Sequence, residues 1–117
     1  MTSEFHAIVS WISPGKGGRQ LPPTGLRYST LVHFEDDDHW PDQVWSLMLD
    51  FQRSLHDGRY TVATIRFLSE AAPTHLLREG NRFELLEGRK RVAKGIVVPE
   101  NVDIPAELNS FETALIG

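Results

Sequence analysis

Apolar and polar positions alternate at period two over much of this chain, the pattern of β-strands with one face turned inward. In residues 4–12, Phe5, Ala7, Val9 and Trp11 share one face, while Ile8 and Ile12 on the other face predict that both sides are partly covered. Residues 26–35 repeat the alternation with Leu26, Tyr28, Thr30, Val32 and Phe34. Residues 59–68, with Tyr60, Val62, Thr64 and Ile65, are rich in strand formers. Two further apolar runs within residues 80–98 flank the charged turn Glu87-Gly88-Arg89-Lys90, the signature of an antiparallel hairpin. Residues 43–51 fit two periods. Val44, Leu47, Met48 and Phe51 have helical spacing, whereas Val44-Trp45 and Leu47-Met48-Leu49 suit a strand buried on both faces. The strand is the preferred reading.

Turn and loop signals separate these segments. Residues 13–25 hold three prolines and four glycines, a density that predicts a long loop. Residues 35–39, Glu-Asp-Asp-Asp-His, read as a solvated acidic loop closed by Trp40-Pro41. Leu55-His56-Asp57-Gly58 carries an Asp-Gly turn. Residues 73–80 predict one helical turn ended by glycine. After residue 98 an extended connector leads to residues 107–116, a short helix or an added edge strand. About six strands with turns between them predict an all-β barrel or sandwich, and closure into a barrel removes exposed edges. The expected organisation is one β-barrel over residues 1–98 and a C-terminal extension over 99–117.

Composition narrows the chemistry. In 117 residues with a net charge of -4, 40% are apolar, enough for one lean core. The absence of cysteine excludes disulfides, thiolate metal sites and cysteine nucleophiles. The acidic balance weighs against a non-specific nucleic-acid binder. No basic segment followed by an apolar core stands at the start, and no apolar run approaches the roughly 20 residues of a membrane span. The expectation is a soluble, cytoplasmic protein with no membrane partner.

Several motifs stand in a familiar order. Phe5-His6-Ala7-Ile8-Val9 is followed by Gly17-Gly18-Arg19 and by Gly25-Leu26-Arg27. Gly58, Val62-Ala63-Thr64-Ile65, Gly80-Asn81-Arg82-Phe83, Glu87-Gly88, Val92 and Gly95-Ile96-Val97-Val98 come next. From about Phe5 to Val98 this set resembles the third, C-terminal domain of translation elongation factor Tu, as a free-standing domain without the GTPase. The resemblance implies a compact six-stranded antiparallel β-barrel. It also implies a surface shared between aminoacyl-tRNA and a protein domain, with Gly18-Arg19 and Glu87-Gly88 at matching positions. Where the family has a glutamine after its Gly-x-Arg segment, this chain has Ser29, and a basic position at the end of the fourth strand falls on Ser69 or Glu70. Those departures turn the expectation from tRNA toward a protein partner. A phosphate-cradling Gly-x-x-x-x-Gly-Lys loop followed by Ser or Thr is absent, so no nucleotide is expected.

The candidate chemistry is that of binding. Arg89-Lys90-Arg91, with Lys94, Arg82 and Arg19, is a possible anion patch, or simply a solubilising turn. Trp40 and Trp45, beside the acidic loop, are either an aromatic platform for a partner or core side chains. Asp36, Asp37, Asp38 and His39 lack the glycine-centred spacing of a calcium loop, so no metal is expected. The five histidines are scattered, although His6 and His33 are candidates for neighbours on adjoining strands. Glu84 and Glu87 flank the hairpin apex as a conceivable acid pair, but nothing around them predicts a raised pKa. The reading is a non-catalytic binding module without a cofactor. Its loops 13–25, 36–42 and 87–90 would face a macromolecule, protein rather than RNA. The candidate binding residues are Gly18, Arg19, Arg27, Trp40, Glu87, Gly88, Arg89, Lys90 and Arg91.

Overall fold

The computed structural model describes residues 5–12, 27–55 and 60–99. Six antiparallel strands are present: β1 (Phe5–Trp11), β2 (Arg27–Phe34), β3 (Trp45–Leu55), β4 (Tyr60–Phe67), β5 (Arg82–Glu87) and β6 (Lys90–Val98). They close into a barrel in the order β1-β4-β3-β2-β5-β6. The all-β, six-stranded antiparallel barrel expected from the alternation is therefore the fold. β1 completes the closure by pairing with β4 on one side, Ile8 opposite Val62, and with β6 on the other, where Ile8 lies opposite Ile96 and His6 opposite Val98.

Alternation decides what fills the cylinder. Ala7 and Val9, Val32 and Phe34, Leu47 and Leu49, Ala63 and Ile65, Phe83 and Leu85, and Val97 belong to one buried cluster. Each large aliphatic or aromatic side chain so buried contributes about 1.5–3 kcal/mol. Two bulges adjust the alternation. One places the extra residue Gln52 in β3, between the pairs Phe51–Ala63 and Arg53–Val62. The other lies between Leu85–Ala93 and Leu86–Arg91, so the consecutive residues Val92 and Ala93 both join the core. The ambiguous segment 43–51 is strand from Trp45 onward, because Leu47 and Leu49 serve β2 and β4 at once. β3 runs on to Leu55, four residues past the expected stop.

The two ends of the barrel differ. At the hairpin end β1, β3 and β5 finish and β2, β4 and β6 begin. Here Trp11, Tyr28 and Phe51 pack on one another, with ring centroids 5.8–6.2 Å apart. Trp11 Nε1 donates to Thr61 Oγ1 at 2.9 Å. The opposite end is closed by the connection from β4 to β5. Its helical turn is 3-10, Thr74–Leu76, and Ala72, Leu76 and Leu77 enter the core as a plug beneath Phe34, Phe67 and Phe83. Buried Asn81 fastens the plug: its Nδ2 donates to Leu76 O at 2.7 Å, and its carbonyl accepts from Val97 N at 3.0 Å.

Candidate binding face on the outer wall of β2, β5 and β6

The β5–β6 turn is the most local feature of the site. Glu87 pairs with Lys90, and Gly88 has φ 64°, a left-handed conformation that explains the glycine. Arg89 and Lys90 are exposed at the tip. Neither they nor exposed Lys94 forms a salt bridge among the described residues. Two further candidate binding residues, Arg27 and the patch arginine Arg91, are already engaged. Arg27 Nε donates to Asp50 Oδ1 at 2.7 Å on β3, and Arg91 Nη1 donates to Glu84 Oε2 at 2.9 Å on β5. Gly18 and Arg19 lie outside the described residues.

The barrel decides two placements that the sequence left open. Glu87 does not present its carboxylate with the tip; it accepts a hydrogen bond from the Tyr28 hydroxyl beside the aromatic cluster. Glu84, three residues earlier, faces outward to His33 and Arg91. The two carboxylates thus occupy opposite sides of the sheet and make no acid pair. His6 and His33 are not on adjoining strands either, because β1 pairs with β4 and β6 while β2 pairs with β3 and β5.

Trp40 sits on the connection between β2 and β3, at the plug end, and is joined to Pro41 by a cis peptide bond. Its half-buried ring folds back onto His33 of β2, with centroids 4.4 Å apart and planes 12° apart. Trp45, in contrast, packs against the core. Of the three loops proposed to form one surface, 13–25 lies outside the described residues and the other two are divided, with 36–42 at one end and 87–90 at the other. What joins them is the wall between. His33 Nδ1 lies 3.8 Å from Glu84 Oε1, its register partner, and Glu84 in turn holds Arg91 and stands opposite Lys94. Trp40, His33, Glu84 and Arg91 form a contiguous ladder over β2, β5 and β6. Sequence spacing could not show it, since its members are brought together only by barrel closure.

The acidic loop is also more committed than its composition suggested. Glu35 receives two bonds from Arg82, at 2.6 and 2.7 Å, and Asp36 pairs with Arg78. Arg82 holds the Glu35 carboxyl below its ordinary range, and Arg78 does the same for Asp36. Glu35 correspondingly raises the pKa of Arg82. These residues line an open groove of about 430 Å³ with Glu79, Gly80 and Asn81, and their opposite charges offset one another. Asp37 Oδ1 accepts from the His39 backbone N–H at 3.0 Å, a local turn bond. Among the described residues no three His, Asp or Glu side chains converge as metal ligands, and no helix is long and apolar enough to cross a membrane. No protein-family model matches this chain, and no curated protein matches it.

Proposed function

We propose that this chain is a non-catalytic binding module that recognises a protein partner through the outer wall of β2, β5 and β6. The observation that carries the reading is the Trp40–His33–Glu84–Arg91 ladder, in which two stacked rings, a carboxylate and a guanidinium follow one another on one outward face. Such a mixture suits a protein surface, where rings and arginines anchor binding. It suits a phosphate backbone less well, because Glu84 and Asp50 neutralise two of the cations and would repel phosphate. Kinship with the third domain of elongation factor Tu belongs to the same proposal, and with it a cytoplasmic, translation-related role. Its support is the ordered motif set together with the six-stranded antiparallel barrel that the resemblance implies.

Affinity capture from the source cell with the full chain tests the reading. A protein retained by the wild type at moderate salt and lost with Trp40→Ala supports it. Retention that is indifferent to Trp40→Ala overturns the assignment of this face.

RNA binding is the second reading, favoured by the tip cations Arg89 and Lys90 and by Lys94, which lack carboxylate partners among the described residues. Three phosphate contacts predict a loss of about 20- to 40-fold in affinity between 50 and 200 mM salt. Filter binding of total tRNA at those two concentrations, with Arg89→Glu and Lys90→Glu as the variant, separates the two readings.

A further inference from the structure

The outer wall of β2, β3 and β4 carries an apolar patch that the ladder does not use. Val44 and Leu68 are the exposed large hydrophobic side chains among the described residues, at 44% and 47%. They stand at the plug ends of β3 and β4, on the same outer face. Leu47 and Phe67, register partners, point into the core, so Ser46 and Leu68 beside them point out. Leu68 N donates to Ser46 O at 3.1 Å, which carries the β3–β4 ladder one step past Phe67. Val44 and Met48, two residues to either side of Ser46, share its face. On the β2 side Ser46 faces Leu31, which is outward because its neighbour Val32 is in the core. Four apolar side chains thus form a cross around the short Ser46, about 10 Å by 13 Å at sheet spacings. Leu31 and Met48 are half-exposed. A small residue at the centre flattens a wall that closure makes convex.

The charges beside the cross are divided by sign. Exposed Asp42 and Glu70 lie two residues beyond Val44 and Leu68, at the plug end. Exposed Arg66, the register partner of Met48, lies at the other end. None of these three forms a salt bridge among the described residues. We infer that this wall is a contact between two copies of the chain. A two-fold axis laid along the row Leu31–Ser46–Leu68 turns the cross onto itself: Val44 of each copy meets Met48 of the other, and Arg66 of each meets Glu70 of the other. Charge of one sign at both ends would repel under that operation, whereas opposite signs make the face complementary to itself. The footprint is small against the roughly 800 Å² per partner of a stable interface, so the dimer is transient and forms at high concentration. The inference goes beyond the partner-binding reading and shares only β2 with it.

Sedimentation of the full chain over a concentration series tests it. The mass should rise from the monomer's 13.3 kDa toward that of a dimer. Leu68→Asp, an exposed change, should abolish the rise. Arg66→Glu should weaken association by roughly 2- to 30-fold, since two exposed ion pairs are lost. Arg66→Glu combined with Glu70→Arg exchanges the signs and should restore most of it. Urea midpoints near the wild-type value show that each variant is folded. A monomer at every concentration would overturn the inference and leave the patch to a segment of another protein. So would association indifferent to Leu68→Asp, or a double charge exchange no better than Arg66→Glu alone.

Discussion

Gly95 offers the sharpest test of how this barrel is packed. It lies on β6 directly opposite Phe83 of β5, and a Cβ added to it would overlap three atoms of the Phe83 ring, the farthest at only 2.8 Å. Two effects oppose each other in Gly95→Ala. Loss of glycine's freedom in the unfolded chain should stabilise by about 0.4–1 kcal/mol. Forcing a buried ring to move costs about 1–3 kcal/mol. The second wins here because the ring has little room to yield: Phe83 is 2% exposed, and Phe34 sits 5.3 Å away, centroid to centroid. The expected net loss is about 1–2 kcal/mol, read as a lower urea midpoint by tryptophan fluorescence with an unchanged slope. In a double-mutant cycle, Phe83→Leu should recover part of that loss, with a coupling of about 0.5–3 kcal/mol. If Gly95→Ala proves as stable as the wild type, or the two changes simply add, the close ring-on-backbone contact does not govern this position.

Gly88→Ala should cost about 1–2 kcal/mol because φ 64° is left-handed, with Gly88→Asn losing less; thermal unfolding of the three proteins checks this. Asn81→Leu should cost about 1–3 kcal/mol by leaving Leu76 O without its donor, and amide exchange should speed first in residues 72–81. Glu35 and Asp36 have folded-state pKa values below their ordinary range, so their contribution is present above the unfolded carboxylate range and is lost as pH falls through the folded values. The stability gap between the wild type and Glu35→Gln/Asp36→Asn should therefore close below about pH 4, and it should shrink in high salt because these pairs are exposed. Urea midpoints across a pH series measure that gap.

Strand positions were legible because one face of each strand must be apolar: a period of two is visible in residues 5–11 and 27–34, and two apolar runs about a charged turn mark residues 82–98, without knowledge of partners. The segment 43–51 was ambiguous for the converse reason. β3 runs between two neighbours and carries large side chains on both faces, which erases the alternation that marks a strand. Bulges at Gln52 and at Val92 left no sequence mark, since each depends on the register of a partner strand. The binding face was legible only in pieces. Trp40 and Arg91 stood out as residue types, but His33 and Glu84, which connect them, come from strands 51 residues apart in number. The engagement of candidate Arg27 was not legible, because Asp50 lies 23 residues away and meets it only across β2 and β3. The direction of Glu87 was not legible for a similar reason: flanking a turn in sequence says nothing about which side of the sheet a side chain takes.

The barrel opens and closes at one spot, with His6 beside Val98 in the register of first and last strands. A body whose entry and exit are neighbours behaves as a cassette. A longer polypeptide can carry it within a surface loop without spanning a gap, and neither flanking segment need be long. Gene fusion and insertion are thus open to this unit at little structural cost, whereas a domain with termini on opposite poles would force its host apart.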